Sequence, residues 1–463
     1  MSIAAKKSKK IDMINGPLIS GIVRFSLPIM ATGILQHLYN AADIMVVGKF
    51  AGHIAQGAVT STVAVVGLIT NASIGLSVGA NVIVARMIGA KNKEGIHRAV
   101  HTSIALSLIC GLIISIIGLT FTEPLLNLMG CPREMIDLSA LYVKILLLGA
   151  PINMLYNFGA SVLRASGDTK RPLIFLAVSG LVNVALNLVF VIVFEMSVAG
   201  VALATIASQL ISAVLVTIVL VRDKGDVKLV IKKIRIYKNE LINIIKVGLP
   251  SGAQSVIFSL SNVIIQSSYN LFGPVAVSGV GVGGSIDGFV YLSMNAVYQA
   301  ALTFTSQNYG AANYSRLNKI LRSSVLVAVV SGIVVGGITI IFGRPLASIY
   351  TNEPKVVEYA LERVYIMSST YFLCGIMDVL SGMLRGINHS VYPMIVSVVG
   401  ICGFRILWIC TVFKYFFSLT TIYISYPLSW IIAFIAMYIG YMVFYKKLIK
   451  RSASESEADL SAK

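Results

Sequence analysis

The sequence predicts an all-α membrane protein with twelve transmembrane helices in two six-helix repeats, which are related by a pseudo-two-fold axis along the membrane normal. Three observations support this prediction: the composition is strongly apolar, apolar runs of span length recur along the chain, and motifs of the first half return in the second. Hydrophobic residues occupy 57% of the 463 positions and charged residues only 12%. A soluble domain carries about 25% charged residues.

The apolar runs have the length that a membrane-spanning helix needs, which is about 20 residues. A transmembrane β-barrel would instead show segments of about ten residues with alternating hydrophobicity. The first run is also far longer than the apolar core of a cleavable signal peptide, so none is expected. We predict spans at 20–47, 54–82, 98–121, 137–162, 171–194, 197–221, 242–270, 276–303, 320–342, 359–384, 392–414 and 422–445.

Internal repetition is visible as motifs that return at a nearly constant displacement. Three return at one shared displacement and the fourth at a displacement one residue longer: Leu163-Arg164 as Leu384-Arg385, Pro172 as Pro393, Gly89-Ala90-Lys91-Asn92 as Gly310-Ala311-Ala312-Asn313, and last Leu27-Pro28 as Leu249-Pro250. The repeat predicts an N-terminal lobe (1–222), a cytoplasmic basic linker (223–240), a C-terminal lobe (241–450) and a polar, disordered tail (451–463). In transporters with such repeats, the substrate site lies near the bilayer midplane between the halves. Some channels are duplicated as well.

Basic residues are distributed unequally between the two sides of the predicted spans. Of the 37 Lys and Arg residues, 29 fall on one side and 5 on the other, and Lys144, Arg363 and Arg405 lie within spans. Loops rich in Lys and Arg stay in the cytoplasm. We therefore expect a multi-pass protein of the plasma (inner) membrane with both termini cytoplasmic. The net charge of +18 needs no nucleic acid partner, since orientation and contact with anionic lipids account for it.

Acidic residues inside predicted spans indicate functional sites, because charge is costly at membrane depth. Asp43 ends a polar stripe in the first span, with Gln36 and Asn40 on the same helical face at spacings of i, i+4 and i+7. We predict that Asp43 couples transport to an ion or proton and that the other two line a substrate cavity. A hydrogen-bonded seam between helices is the alternative.

Neutral oxygen donors in the fifth and sixth spans form a second part of this prediction. Asn183 and Asn187 are one helical turn apart, and Thr205 follows in the next span. Amide and hydroxyl oxygens suit an alkali cation or a proton-linked water. We assign all three to ion or proton coupling beside Asp43. The alternative is interhelical hydrogen bonding, worth about 0.6–2 kcal/mol per bond.

The second half contributes further polar candidates. Asp378 in the tenth span corresponds to Asn157 at the displacement that relates Leu384-Arg385 to Leu163-Arg164, so one repeat has an acid where the other has an amide. We predict a coupling role for Asp378 and a cavity role for Asn157, while a structural ion pair between Asp378 and Arg405 is the alternative.

A glycine-rich stretch in the eighth span contains the third acid. Asp287 follows Gly283-Gly284-Ser285-Ile286, and Tyr291 and Asn295 lie at i+4 and i+8 from it. Glycines at this depth allow close helix packing or a broken helix, which often lines a cavity. We predict that Asp287, Tyr291 and Asn295 face the substrate cavity.

Motifs of soluble enzymes are absent from the sequence. It has no GxxxxGK[ST] phosphate loop, so ATP is not expected as a direct partner, and it has no HExxH, GxSxG or Cys/His metal set. We expect neither enzymatic activity nor a cofactor, and no metal site beyond one for Na⁺.

The residues taken together resemble the multidrug and toxic compound extrusion (MATE) family over positions 20–445. The resemblance rests on these motifs: Leu27-Pro28, Leu38-Tyr39-Asn40-Ala41-Ala42-Asp43, Gly89-Ala90-Lys91-Asn92, Leu163-Arg164-Ala165-Ser166-Gly167-Asp168, Val198-Ala199-Gly200-Val201-Ala202-Leu203-Ala204-Thr205 and Leu384-Arg385-Gly386. It implies two six-helix lobes, antiport driven by Na⁺ or H⁺, and export of cationic organic compounds.

The resemblance also implies roles for individual residues. Asp43 matches the acid of the first span, Asn183 and Thr205 match positions beside it, and Asp378 matches an acid used by some members. Asn187 departs from the family pattern, which often has a second Asp there. The seventh span also lacks the Glu on which one subgroup relies. Both departures leave the coupling ion open between H⁺ and Na⁺.

A monomeric secondary antiporter for organic, cationic compounds is the favoured interpretation. A lipid-linked oligosaccharide flippase of the same superfamily is the first alternative, and it would need several cavity Arg and Lys residues for pyrophosphate. A membrane-embedded enzyme or receptor is the second alternative. The sequence has no cluster of catalytic residues to support it, and it does not explain the duplication.

Overall fold

The computed structural model describes residues 10–129 and 131–461, and every regular element in that part of the chain is helical. In chain order the α-helices are α1 Leu18–Phe50, α2 His53–Ser61, α3 Val63–Gly89, α4 Lys93–Leu128, α5 Arg133–Leu148, α6 Ala150–Ala165, α7 Lys170–Leu188, α8 Ser197–Arg222, α9 Lys238–Asn270, α10 Pro274–Gly310, α11 Leu317–Ile341, α12 Gly343–Tyr350, α13 Pro354–Gly386, α14 Val391–Ser397, α15 Phe404–Cys410, α16 Val412–Tyr415 and α17 Leu419–Ser461. π-helical turns follow α7 (Val189–Val193) and join α14 to α15 (Val398–Gly403).

Eleven segments of the described chain are long and apolar enough to cross a membrane, and a bent pair of helices makes a twelfth. The pair is α5 and α6, which meet at an angle of 48°. Pro151, in the first turn of α6, has no N–H to continue the hydrogen bonds of α5, which explains the bend. Each predicted span falls on one of these segments, so the twelve-span all-α fold is confirmed.

The contacts between residues divide the chain into two compact units, and both boundaries fall inside a helix. The first unit contains Pro28–Ser259, and the second contains Asp12–Leu27 and the chain from Leu260 onward. Helix α1 is therefore shared at Pro28 and helix α9 at Ser259. The lobes predicted from the repeat have different boundaries, because each is one continuous stretch of chain, 1–222 and 241–450.

The first part of α9 packs in close backbone contact with α3 of the first unit. A Cβ on Gly79 of α3 would lie 2.3 Å from the carbonyl oxygen of Ile244, and one on Gly75 would lie 2.7 Å from the Cα of Gly252. Only glycine permits this approach, which is the usual way that helices pack closely in membranes. In the second unit, Phe25 of α1 packs edge-on against Phe304 of α10, with ring centroids 6.0 Å apart.

The linker between the repeats is held against helix α4. Nε2 of His101 lies 3.0 Å from the backbone nitrogen of Val230, and Thr102 Oγ1 accepts from the backbone N–H of Tyr237 at 3.1 Å. At the C-terminal end, α17 continues to Ser461. The helix thus extends into the tail for which the sequence predicts disorder, and the alanines and glutamates of that segment favour helix.

Candidate functional site

The acid of the first span and the polar residues of the fifth and sixth spans come together inside the first unit. Asp43 lies on α1 after Pro28, Asn183 and Asn187 lie one turn apart on α7, and Thr205 lies on α8. The sequence analysis assigns all four positions to one site. Their assembly involves side chains that are up to 162 residues apart. We call these four residues the Asp43 cluster.

Hydrogen bonds within the Asp43 cluster converge on the carboxylate. Nδ2 of Asn187 donates to Oδ1 of Asp43 at 2.5 Å, and Oγ1 of Thr205 donates to Oδ2 at 3.4 Å. Asn187 Nδ2 also lies 3.3 Å from Oδ1 of Asn183, and Asn183 Nδ2 lies 3.4 Å from Thr205 Oγ1. Both carboxylate oxygens are thus oriented by neutral donors. No basic side chain of the described chain forms an ion pair with Asp43.

Burial makes this arrangement costly unless another group completes it. Asp43 is 6% exposed and Asn187 is fully buried. Oδ1 of Asn187 accepts no hydrogen bond from the described residues. A buried polar atom without a partner costs about 1–3 kcal/mol. A carboxylate, an orphan amide oxygen and a hydroxyl side by side fit a proton carried with a water, and they also fit Na⁺.

A glycine and a tyrosine set the distance between the helices that carry the cluster. Tyr39, one turn before Asp43 on α1, lies against Gly180, which is one turn before Asn183 on α7. A Cβ at Gly180 would lie 1.8 Å from the Cζ atom of Tyr39, so the ring occupies the place of a side chain. Tyr39 also donates to the carbonyl of Ala177 at 3.3 Å. The sequence analysis did not predict this contact, because nothing in the sequence indicates that Tyr39 and Gly180 are neighbours.

The other polar residues predicted in the first half do not join the cluster. Gln36 and Asn40 are exposed on the surface of their unit, on the same helix as the buried Asp43. Asn157 bonds within its own helix, and its Nδ2 donates to the carbonyl oxygen of Asn153 at 3.0 Å and to the Oδ1 of that residue at 2.9 Å. Their assignment to a substrate cavity stays a prediction.

In the second unit, Asp287 forms a buried ion pair that the sequence did not reveal. Nε of Arg363 on α13 lies 2.8 Å from Oδ2 of Asp287 on α10, and Tyr371 Oη lies 3.5 Å from Oδ1. Asp287 is 2% exposed. This pairing neutralises one of the three acids and one of the three cations within spans. Tyr291, one turn further along α10, is 43% exposed, and Asn295 Oδ1 accepts from Gln299 Nε2 at 3.0 Å.

Asp378 on α13 is half-buried and forms no ion pair within the described chain. The alternative pairing with Arg405 is not observed, because Arg405 turns to α17, where its Nε donates to Ser429 Oγ at 2.9 Å. Arg385, two turns after Asp378 on the same helix, bonds to the hydroxyl of Tyr298. Among the described residues no group of three or more His, Cys, Asp or Glu side chains could hold a metal ion.

A duplicated bundle of twelve spans with a buried polar cluster defines a multi-pass membrane transporter. The MatE family model matches residues 28–189 and again 250–411. The chain therefore belongs to the MatE family, a family of multidrug efflux transporters and not of enzymes. The two matched stretches are equal in length, and each lies within one half of the chain, so the duplication is confirmed.

Individual relatives agree over most of the chain. The probable multidrug resistance protein YoeA of Bacillus subtilis is 26% identical over 432 residues, which are 91% of this chain and 93% of that protein. The multidrug export protein MepA of Staphylococcus aureus is 22% identical over 374 residues, which are 81% of this chain and 83% of that protein. A crystal structure of MATE in the bent conformation superposes with a TM-score of 0.87 at 24% identity, covering 97% of this chain and 100% of that one. This last likeness establishes the shared fold.

Proposed function

We propose that this chain is a monomeric secondary antiporter, which exports small organic, mainly cationic, compounds across the plasma membrane by alternating access in exchange for an ion bound at the Asp43 cluster. The observation that carries the proposal is the convergence of Asn187 and Thr205 on the carboxylate of Asp43. A buried acid that is oriented by neutral donors and has no cationic partner can take up and release a positive charge.

The balance of charge favours cationic substrates. Asp287 neutralises Arg363, which leaves two acids without an ion pair in the described chain, Asp43 and Asp378, against one such cation within the spans, Arg405. A cationic compound and a coupling cation can compete for such acids, and competition for one charge is how exchange is enforced. A flippase of pyrophosphate-linked lipids would need several unpaired Arg and Lys residues within the spans. We therefore favour the antiporter.

The coupling ion follows from the number of acids in the Asp43 cluster. A proton needs a single carboxylate, whereas Na⁺ is bound best by several oxygens that include enough negative charge. Asn187 supplies a neutral amide where a second acid would add charge. We propose H⁺ for this cluster, while Asp378 could still serve Na⁺. We also propose that both termini are cytoplasmic and that the six-helix halves, 1–222 and 241–450, are the units that alternate.

Efflux from proteoliposomes tests the proposal. The purified chain is reconstituted with a fluorescent organic cation, and pH and Na⁺ gradients are imposed separately. We expect efflux to follow the pH gradient and to stop when it is collapsed. No efflux above that of protein-free liposomes under either gradient would contradict the antiporter, and efflux that follows only the Na⁺ gradient would contradict proton coupling.

A further inference from the structure

Arg405 is a buried cation of the second unit that has no acidic partner. Its side chain is 3% exposed, and its guanidinium lies over the ring of Tyr426, with 3.9 Å between Cζ and the ring centroid. No carboxylate of the described chain lies within 4.0 Å of it. Arg363 provides the contrast, because Asp287 balances its charge at 2.8 Å. The positive charge of Arg405 is therefore uncompensated.

The two terminal nitrogens of Arg405 are unoccupied donors. Nε donates to Ser429, and Nη1 and Nη2 donate no hydrogen bond to any described residue. An Arg within a span costs about 2.5–3.5 kcal/mol on insertion scales, and stacking on an aromatic ring offsets only part of this. A guanidinium that is fixed by stacking and has a free edge is suited to bind a carboxylate or phosphate through two parallel hydrogen bonds.

Arg405 takes the position of Asn183 when the two stretches that match the family model, 28–189 and 250–411, are superimposed without a gap, whereas the displacement of Pro172 and Pro393 alone would put Phe404 there. Pro172 and Pro393, earlier in the same pair of spans, are one residue closer together than this alignment requires. The π-helical turn Val398–Gly403 accounts for the extra residue, because its i→i+5 hydrogen bonds take in one more residue per turn.

Electrostatic polarity at this site is thus reversed between the two halves. In the same alignment Asp43 falls on Ile265, so the second half has no acid there and has an arginine in place of an amide. The site that attracts a cation in the first half has become one that attracts an anion in the second. Arg405 closely follows this π-helical turn. Because such turns occur frequently at functional sites, its position agrees with a binding role.

We propose that Arg405 binds an oxyanion, a carboxylate or a phosphate, carried by an amphiphilic organic molecule. The apolar part of the molecule lies against the aromatic side chains around the guanidinium. Trp430 lies 6.0 Å from Cζ of Arg405, and its ring centroid is 5.2 Å from that of Tyr371 and 6.1 Å from that of Tyr426. The transporter can then accept zwitterions and organic anions as well as cations. This site is independent of the identity of the coupling ion.

Tryptophan fluorescence provides a local measurement, since the sequence has only two tryptophans, Trp408 and Trp430. In a Trp408→Phe background, Trp430 is the single donor for energy transfer to a pyrene probe. The full-length protein in detergent is titrated with 1-pyrenebutyrate and with the uncharged 1-pyrenebutanol. We expect the acid to bind roughly tenfold more tightly or better, as a hydrogen bond to a charged group implies.

Variants of Arg405 connect this preference to the guanidinium. Arg405→Gln should remove the preference for the acid, and Arg405→Lys, which keeps the charge but not the forked donor, should reduce it. Lys414→Gln, a change at an exposed cation of α16, is the matched control and should leave binding unchanged. A preference that survives unchanged in Arg405→Gln would overturn the proposal.

Two comparisons keep the test decisive. Equal binding of acid and alcohol by the Trp408→Phe protein overturns the proposal without any change at Arg405, so a poorly folding Arg405 variant cannot obscure the answer. Nanodiscs of phosphatidylcholine, with or without phosphatidic acid, then identify the source of the anion. Weaker pyrenebutyrate binding in the presence of phosphatidic acid assigns the site to a lipid phosphate, and unchanged binding assigns it to a free organic anion.

Discussion

Nδ2 of Asn187 lies 2.5 Å from Oδ1 of Asp43, although the two residues are 144 positions apart in the sequence. The bond joins α7 to α1, and no basic residue of the described chain competes for the carboxylate. Because the amide is neutral, it orients Asp43 without cancelling its charge. The carboxylate therefore stays available to a proton or a cation.

Replacing Asp43 by Asn should abolish gradient-driven efflux and leave membrane insertion intact. Asparagine has nearly the shape of aspartate and can still pair with Asn187 and Thr205, so the helices keep their contacts while the titratable charge is lost. Efflux from proteoliposomes is the measurement, with size-exclusion profiles as the check on folding. Asp226→Asn, at an exposed position of the linker, is the control. Wild-type efflux rates in Asp43→Asn would contradict the proposed role.

The sequence was sufficient to predict the twelve spans, because hydropathy and length are properties of single segments. It also predicted the members of the Asp43 cluster, because intramembrane polar residues are rare and therefore conspicuous. Resemblance to a family gave further support for placing Asn183 and Thr205 beside the acid of the first span. The assignment of Gln36 and Asn40 to a cavity followed from helical periodicity alone, which identifies a face but not what that face contacts.

Pairings across the second unit could not be predicted, because they depend on which helices become neighbours. Asp287 and Arg363 are 76 residues apart on separate spans, and the sequence suggested only a different pair, Asp378 with Arg405. The π-helical turn before Arg405 was also hidden. A single added residue changes the face on which every later side chain lies, and no matching motif of the two halves lies beyond Pro172 and Pro393 to reveal it.

Gly180→Ala should reduce efflux severalfold by separating α1 from α7. The new methyl group would lie 1.8 Å from Cζ of Tyr39, and overpacking of this kind costs about 1–3 kcal/mol. Removing the ring in the double variant Tyr39→Ala/Gly180→Ala should recover part of the activity. Gly67→Ala is the matched control, because nothing lies within 4 Å of its added Cβ. If Gly180→Ala transports as well as Gly67→Ala, the contact does not position the cluster.

Arg363→Met should destabilise the second unit more than the paired change Asp287→Leu/Arg363→Met does. Removing one partner leaves a buried charge uncompensated, which costs about 3–5 kcal/mol, whereas replacing both by apolar groups is often neutral. Thermal unfolding in detergent measures the difference. Arg344→Met, at an exposed arginine of α12, should shift stability by no more than about 0.5 kcal/mol. A double variant as unstable as the single one would show that the ion pair itself is stabilising.

Single cysteines should establish the orientation in the membrane. In a background with the five native cysteines replaced by serine, Lys232→Cys should be inaccessible to an impermeant thiol reagent in intact cells, and Lys414→Cys should be labelled. The reason is the excess of Lys and Arg on the side of Lys232. Both side chains are exposed, so both should react after permeabilisation. The reverse pattern in intact cells would place the termini outside.

Asn187→Asp should make efflux depend on Na⁺. The substitution places a second carboxylate beside Asp43, where the amide nitrogen now lies 2.5 Å from Oδ1, and two adjacent negative charges are stabilised by a bound cation. With one acid, the wild-type cluster needs only a proton. At fixed pH, replacing Na⁺ by choline should therefore leave wild-type efflux unchanged and slow that of Asn187→Asp. Asn239→Asp adds the same charge at an exposed position outside the cluster and should behave as the wild type. Loss of wild-type efflux without Na⁺, together with no response to the pH gradient, would contradict proton coupling. Efflux by Asn187→Asp that does not depend on Na⁺ would show that the amide of Asn187 does not determine the coupling ion.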